Sequence, residues 1–504
     1  MELADYIGKK LVLGIPGTGI TPTIVAHFQA LRAGGLILYR RNFVSPKQIR
    51  QLISDLEEAL GRCLLVCVDH EGGRVIMFRE GVTVFPDNLA VGTTGRVEYA
   101  VRQGDIEARE LRRLGVDVNL APVLDVLTEA YSPNIGIRSY GRDPQLVAAM
   151  GVARISAMQA GGLSACAKHF PGKGHAPVDA HLGLPVIPST WEEMAAVHLP
   201  PFVAAIRAGV DLVMSSHPYY PHLDPAAGRI ATFSRRLIHD CLRRELGFPG
   251  VICSDDLEMG AIAAVCQVGA AAVLATRAGH DLLLICHTPS AQQEVQRALL
   301  EAYQQGELPR EELEASVARL EALEAKRGSR FAGGEPAPEL AGPGLAAAIS
   351  RAAVRVQQDT TGLLPLAGRF QSIGVIFPRF AELADRIMIE REMLAAAEFL
   401  AGEFDSLGLH PKIQLVGMEP DTAEIQAATE LAGSTELTIL FCYDAHLYPS
   451  NKALLDRVQA TAPRVVAVLL RDPYDAAFLR PETTCLTAFG WRVAQLRAVL
   501  AALV

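Results

Sequence analysis

The sequence predicts an α/β fold, namely a TIM-type (β/α)8 barrel followed by a smaller α/β sandwich domain. Up to about residue 328, short apolar runs alternate with longer amphipathic stretches, which is the pattern of repeated βα units around a parallel sheet. About eight such runs occur, and eight is the strand number of the closed parallel barrel.

The candidate strands are short and bounded by turn residues. In chain order they cover 11–15, 35–39, 64–68, 116–120, 163–167, 212–215, 251–254 and 282–286. Helices are predicted between them over 97–114, 146–160, 191–208, 235–246 and 262–278. Ser234 is suited to cap the fourth of these helices, because its hydroxyl can accept a hydrogen bond from a first-turn N–H.

The chain of 504 residues is too long for one hydrophobic core. A stretch rich in Gly, Pro and Ala at 329–344 predicts a linker between a barrel domain over 1–328 and a second domain over 345–504. Strand-like runs resume at 373–377, 413–416, 437–441 and 465–470, which predicts a second, smaller α/β unit.

Composition narrows the class of protein. The net charge of -9 argues against a nucleic-acid partner, and no apolar run is long enough for a membrane span. The acidic start of the chain is unlike a signal peptide, and the nine cysteines are odd in number and mostly embedded in apolar runs. These features predict a cytoplasmic protein with reduced thiols.

Charged residues follow several of the predicted strands: Asp69-His70-Glu71, Lys168-His169, His217 and Asp255-Asp256. A barrel gathers the carboxyl ends of its strands on one face, so one polar pocket is expected there. The densest segment is 168–181, which the sequence predicts to be a loop, neither helix nor strand, because Pro171, Gly172, Gly174 and Pro177 interrupt it.

Five motifs in order resemble family 3 glycoside hydrolases, most closely the bacterial β-N-acetylglucosaminidase (β-N-acetylhexosaminidase) branch. They lie at 69–75, 121–126, 168–172, 179–181 and 254–259. The second domain resembles that of the family at 362–366 and 471–475. The resemblance implies a retaining exo-acting hydrolase that removes a terminal sugar from small saccharides such as cell-wall fragments, as in peptidoglycan recycling. It implies no cofactor and no metal.

The resemblance also assigns roles to individual residues. It implies that Asp255 is the nucleophile of a covalent glycosyl-enzyme intermediate, and that His181, oriented by Asp179, is the acid and base. The residues implied to bind the sugar hydroxyls are Asp69, Arg138, Lys168 and His169. Lys168 and Arg138 are expected to keep the Asp255 carboxylate ionised.

Departures from the family pattern leave more than one sugar possible as the substrate. Lys173 stands where a second histidine is usual, Ala180 replaces a serine, and Met77 replaces an arginine that often contacts the sugar. A β-glucosidase or β-xylosidase therefore remains an alternative. A glycoside phosphorylase is another, since a histidine acid/base leaves room for an anionic acceptor.

Other roles are possible for the same residues. Asp255 and Asp256 could simply favour a helix N-terminus, Asp69 could hold the Gly72-Gly73 turn, Arg138 could pair with Asp143, and His217 could be a core histidine. A barrel metallohydrolase could instead use His169, His175 and His181 with Asp69 and Asp255. A non-catalytic sugar-binding protein would be expected to lack Asp255 or His181.

The second domain is predicted to be dispensable for chemistry, because the barrel holds the motif residues. It is expected to stabilise the barrel or to make an oligomer interface.

Overall fold

The amino-terminal part of the chain forms a ring of eight short parallel strands. In this computed structural model, residues 2–129, 132–176, 184–226, 230–326, 340–366 and 368–504 are described. The strands are β1 (Leu11–Gly14), β2 (Gly35–Leu38), β3 (Leu65–Val68), β4 (Val118–Asn119), β5 (Ser164–Phe170), β6 (Leu212–Ser215), β7 (Val251–Cys253) and β8 (Leu283–Ile285). Neighbours in sequence pair in parallel, β1 also pairs with β8, and a bridge between Cys253 and Leu282 nearly closes the ring. The predicted barrel is confirmed.

Helices surround this ring and cover the apolar strands. They are α1 (Leu3–Lys9), α2 (Pro22–Leu31), α3 (Pro46–Leu60), α4 (Asn88–Thr93), α5 (Val97–Leu114), α6 (Pro144–Ala160), α7 (Trp191–Glu193), α8 (Pro200–Arg207), α9 (Gly260–Ala263), α10 (Val268–Ala278), α11 (Pro289–Gln304) and α12 (Arg310–Ala325). Two π-helical segments, Met194–His198 and Arg236–Glu245, lie among them, and the Ser234 hydroxyl accepts a hydrogen bond from the Leu237 N–H as expected of a cap. No helix in the described part of the chain has the length and apolar character that a bilayer span requires.

The prediction that residues 168–181 lie entirely in a loop is wrong at its start. Strand β5 continues through Phe170, pairing Lys168 with Met214 and Phe170 with Ser215 of β6. Lys168 and His169 can remain in a strand because charged partners surround their buried side chains, so polarity does not mark the end of the strand. Residues 177–183 lie outside the described residues.

The second domain is built on a six-stranded sheet. Its strands are β9 (Arg355–Gln358), β10 (Ile373–Pro378), β11 (Lys412–Val416), β12 (Leu437–Cys442), β13 (Val465–Leu469) and β14 (Thr484–Thr487), in the order β11-β10-β12-β13-β14-β9 with only β9 antiparallel. Its helices are α13 (Ala341–Ala353), α14 (Arg391–Leu394), α15 (Ala396–Ser406), α16 (Thr422–Gly433), α17 (Pro449–Thr461) and α18 (Val493–Ala501). Helix α13 begins inside the range predicted as linker.

The two domains share an apolar contact. Leu89, Ala90 and Ile137 of the barrel belong to the same buried cluster as Phe380 and Trp491 of the second domain. Burying such side chains stabilises the contact by about 25 cal/mol for each Å² of apolar surface removed from water. The second domain is therefore held against the carboxyl-terminal side of the barrel, where the polar residues lie.

Candidate active site

The carboxyl ends of the barrel strands open into a cavity of about 620 Å³. The residues that line it come from both domains: Tyr39, Arg40, Arg41, Asp69, Glu71, Arg74, Val75, Ile76, Met77, Asn134, Arg138, Lys168, His169, Lys173, Asp255, Asp256, Glu258, Met259, Gly260, His287, Arg386, Ile387 and Met388. All described residues that the sequence predicts for the site are among them. The predicted dyad, Asp179 and His181, lies outside the described residues.

The cavity floor is a network of charged side chains at the ends of β3 and β5. Lys168 Nζ lies 2.5 Å from Asp69 Oδ1 and 2.6 Å from Glu71 Oε1. Arg138 donates to both oxygens of Glu71, at 2.8 Å each, in a bidentate pair. Glu71 thus sits between two cations, which together hold its pKa far below its usual range against the opposing effect of burial.

Arg138 was open to a second interpretation, a salt bridge with Asp143 in its own loop. The structure gives it Glu71 instead, while Asp143 accepts a hydrogen bond from the Gln145 N–H and caps α6. Similarly, the Gly72-Gly73 turn packs closely against Asp87. The contact is so close that a Cβ added at Gly73 would lie 2.0 Å from the Asp87 carboxyl carbon. The Asp69 carboxylate instead accepts a hydrogen bond from Lys168 Nζ.

His169 is a buried neutral imidazole. Its Nδ1 lies 2.7 Å from Asp125 Oδ2, and its Nε2 lies 3.5 Å from an Arg138 nitrogen. Burial, together with the nearby charges of Lys173 and Arg138, holds the pKa of His169 well below its usual value. Because Nδ1 donates to Asp125, the Nε2 lone pair is left as an acceptor toward Arg138.

Asp255 follows Ser254, two residues past the end of β7, and reaches the cavity from the opposite side. Lys173 Nζ lies 3.7 Å from its Oδ2, and the Asp256 N–H donates to its Oδ1 at 2.9 Å. Burial acts to raise the pKa of Asp255, but the charges of Lys173, His217 and Lys168 outweigh it, so the pKa lies below the usual value. Asp255 is an ionised carboxylate at neutral pH.

The side chains of this network differ in how far they are exposed to the cavity. The Asp69 and Asp255 side chains are 21% and 18% exposed, whereas Glu71 and Lys168 are each 2% exposed. The two carboxylates therefore face the open part of the cavity. Their buried partners fix where they point.

Three residues of this network had no predicted role in the site, although Glu71 was among the strand-end residues expected in the polar pocket. Glu71 and Asp125 lie inside quoted motifs without an assigned role, and Lys173 was noted only as a departure from the family pattern. Glu71 lies two residues after Asp69 and so points to the same side of an extended segment, which is a signal that the sequence offered. Asp125 is a lone carboxylate in an apolar run, and it is fully buried.

His217 and Asp256 serve the structure around the site. His217 lies 2.8 Å from the Thr232 hydroxyl and 3.0 Å from the Asp256 carbonyl, so both of its ring nitrogens have partners. Asp256 accepts hydrogen bonds from the Glu258 and Cys286 N–H groups. These contacts fix the turn that carries Asp255.

Of the histidines considered for a barrel metal site, the two that the structure describes, His169 and His175, do not form a metal-binding group with Asp69 and Asp255. His169 pairs with Asp125, and His175 Nδ1 lies 3.0 Å from the Thr128 hydroxyl. Within the described ranges, the donor atoms close enough to share an ion belong to the second domain, at Asp444, His446 and Asp472. Neither Asp69 nor Asp255 is part of that group.

A nearly closed (β/α)8 barrel with paired cations and an ionised carboxylate at its carboxyl-terminal face is the arrangement of an active site in a barrel enzyme. Residues 10–323 match the family described as the glycosyl hydrolase family 3 N-terminal domain. The chain therefore belongs to glycosyl hydrolase family 3, and it is a glycoside hydrolase.

Curated relatives are named beta-hexosaminidase. The protein of Stenotrophomonas maltophilia (strain K279a) is 38% identical over 283 residues, which are 55% of this chain and 83% of that protein. The protein of Methylococcus capsulatus (strain Bath) is 40% identical over 270 residues, 53% of this chain and 79% of that protein. So little of either relative lies outside the match that neither has room for a domain like residues 345–504.

A solved structure matches both domains. The family 3 beta-N-acetylglucosaminidase from Paenibacillus sp. str. FPU-7 is 31% identical with a TM-score of 0.93, covering 100% of this chain and 96% of that one. The chain is thus similar to a two-domain member of the family over its whole length. The predicted family, fold class and type of enzyme are confirmed.

Proposed function

We propose that this protein is a retaining exo-β-N-acetylglucosaminidase of small saccharides, with Asp255 as its nucleophile. The observation that carries the proposal is the Asp255 carboxylate, ionised, partly exposed and 3.7 Å from the Lys173 ammonium inside the cavity. A nucleophile for an anomeric carbon must be ionised and must face the substrate. Asp255 meets both conditions.

The buried floor supports an exo mode of action. Asp69, Lys168, Arg138 and His169 offer charged or polar atoms of the kind that bind sugar hydroxyls, and the Glu71 pairs hold two of these cations in place. Charge-assisted hydrogen bonds are worth about 1.5–3 kcal/mol each, so a few of them fix a terminal ring against Asp255. The rest of the substrate then extends toward the opening.

The reaction proceeds in two displacement steps at the anomeric carbon. A carboxylate oxygen of Asp255 bonds to the anomeric carbon while the bond to the leaving oxygen breaks, and that oxygen takes a proton from the imidazolium of His181. Neutral His181 then removes a proton from water, which attacks the same carbon and frees Asp255. Asp179 orients the His181 ring; the roles of both residues rest on the motif at 179–181, and no cofactor takes part.

The family also supports two finer inferences. We place the activity in the cytoplasm, on saccharides released from the cell wall, because all nine cysteines are free thiols, as in a reducing compartment, and because the curated relatives are hexosaminidases. Nucleic acid is not a proposed partner, since the chain carries a net charge of -9.

The test is hydrolysis of 4-nitrophenyl β-N-acetylglucosaminide beside the β-glucoside and the β-xyloside. We expect the N-acetyl sugar to be preferred, and Asp255→Ala and His181→Ala to abolish its hydrolysis while the exposed-site control Asp456→Ala does not. Preference for another sugar would show that Met77 and Lys173 select a different substrate. Release of a glycosyl phosphate when inorganic phosphate is added would identify a phosphorylase instead.

A further inference from the structure

The second domain forms one wall of the cavity. Arg386, Ile387 and Met388 line it, and they follow a short 3-10 helix at Phe380–Leu383. This segment belongs to the domain that was predicted to be dispensable for chemistry. The cavity is therefore completed by residues that the barrel does not supply.

Backbone carbonyls fix this wall against the barrel. Arg40 Nη1 donates to the Ala384 carbonyl at 3.1 Å, and Arg79 Nη1 donates to the Ile389 carbonyl at 3.2 Å. Within the second domain, Arg492 donates to the Met388 carbonyl at 2.9 Å and to the barrel's Gly73 carbonyl at 2.7 Å. Residues 384–389 thus keep one position relative to the cavity floor.

Arg386 differs from the other cavity cations. Arg40, Arg41 and Arg74 donate to backbone carbonyls, whereas Lys168 and Lys173 face carboxylates. The Arg386 side chain is exposed and makes no hydrogen bond or ion pair with any residue in the described ranges. Its guanidinium remains available for a ligand.

The charge of the cavity favours an anion at this place. Seven cationic side chains line the cavity against five carboxylates, although the whole chain carries a net charge of -9. The acidic groups Asp69 and Glu71 of the floor face Lys168, and Asp255 on the opposite side faces Lys173. The excess positive charge therefore belongs to the rim, where the leaving group of an exo-acting enzyme lies.

We propose that Arg386 binds a carboxylate on the leaving-group side of the substrate, so that the second domain selects saccharides with an acidic second sugar. The inference rests on the proposed function, since it takes the terminal sugar to occupy the floor. A guanidinium matches a carboxylate with two parallel N–H donors, which makes Arg386 a specificity-determining residue.

The test compares disaccharides whose second sugar carries a carboxylate with the same disaccharides carrying an amide in its place. The probes are N-acetylglucosamine β-1,4-linked to N-acetylmuramic acid and to glucuronic acid, each beside the same disaccharide with its carboxylate converted to an amide. For wild type, Arg386→Ala and Arg386→Glu, we would measure kcat/KM for all four. Arg457→Ala, which removes an exposed arginine of the second domain outside the cavity, is the control.

We expect wild type to have a higher kcat/KM for at least one acidic disaccharide than for its amide. Arg386→Ala should lower this acid-to-amide ratio of kcat/KM by about five- to tenfold, mainly by raising KM for the acid. Arg386→Glu should lower it further, Arg457→Ala should leave it as in wild type, and added salt should reduce it only where Arg386 is present. Which acid shows the effect identifies the source of the carboxylate.

Two results would overturn the inference, and they are distinguishable. Cleavage of the amides with no acid preference, or an acid preference that survives Arg386→Ala, would remove the role of Arg386 and leave the proposed function standing. Failure to cleave any of these disaccharides or 4-nitrophenyl β-N-acetylglucosaminide would overturn the proposed function and this inference with it.

Discussion

The floor and the rim of the cavity are built in different ways by different parts of the chain. The floor consists of buried, mutually paired charges at the ends of barrel strands, such as Glu71 between Lys168 and Arg138. The rim includes the partly buried Arg40 and Arg74 of the barrel and the exposed Arg386 of the second domain. Together with our proposals, this difference leads us to infer that the floor holds the sugar to be cleaved off and that the rim selects the leaving group.

Replacing Asp255 by Asn should have the largest effect, because it removes the nucleophilic charge with almost no change of shape. We expect kcat/KM for 4-nitrophenyl β-N-acetylglucosaminide to fall by on the order of 10⁴-fold. Steady-state kinetics would measure it, with Asp456→Asn on the exposed surface as the control. A loss of only a few-fold in kcat/KM would mean that the Asp255 carboxylate is not the nucleophile.

Replacing Glu71 by Gln should disturb the floor next most. Lys168 and Arg138 would then lie together without the carboxylate between them, and breaking a buried ion pair costs about 3–5 kcal/mol. We expect lower activity, by about 10²-fold, and a lower melting temperature. Glu314→Gln, in an exposed helical pair, should leave both close to wild type.

The same residue predicts a pH dependence of stability. The pKa of Glu71 in the folded protein lies below its usual value, so its pairs stabilise the fold at and above that usual value, about 4.3. This contribution is lost as the pH falls below it toward the folded-state pKa. Denaturant unfolding between pH 3 and 7 should therefore show a smaller decline in the Glu71→Gln variant than in wild type.

Replacing Arg492 by Met tests how the rim is held. This residue is 1% exposed and donates to the carbonyls of Gly73 and Met388, so it joins the barrel to the cavity wall. We expect a loss of about 2–4 kcal/mol in stability, because two buried carbonyls lose a charged donor, and a several-fold rise in KM. Arg497→Met on the exposed face of α18 is the matched control, and equal effects in both would argue against the joining role.

Replacing Lys173 by Met should give the smallest change at neutral pH. Lys173 lowers the pKa of Asp255, so its removal should raise that pKa and move the acid limb of the kcat/KM profile to higher pH by about half to one unit. Lys173→Arg keeps the charge and should restore the limb. If the acid limb of the kcat/KM profile does not move in Lys173→Met, Lys173 does not control the pKa of Asp255.

The barrel was largely predictable because its signals are local. Each of the eight observed strands overlaps a predicted one, and α5 spans the predicted residues 97–114. The end of β5 was missed because Lys168 and His169 are satisfied by Asp69, Glu71 and Asp125, which are far away in sequence. A polarity pattern along the chain does not contain those partners.

The rim was not predictable from motifs. Arg386 lies in a segment without catalytic signature, and its place depends on how the second domain packs against Leu89 and Ile137 of the barrel. Such packing is set by many weak apolar contacts rather than by a few recognisable residues. The assigned roles of Asp179 and His181 stay predictions, since both lie outside the described residues.

The most direct test of the central claim is to trap the covalent intermediate. A 5-fluoro β-N-acetylglucosaminyl fluoride should glycosylate the enzyme faster than water releases it, because the fluorine substituent slows the second step while the good leaving group preserves the first. Peptide mass spectrometry should then find the sugar on Asp255, and Asp255→Asn should remain unlabelled. A sugar found on another residue, or turnover without any adduct, would contradict the account.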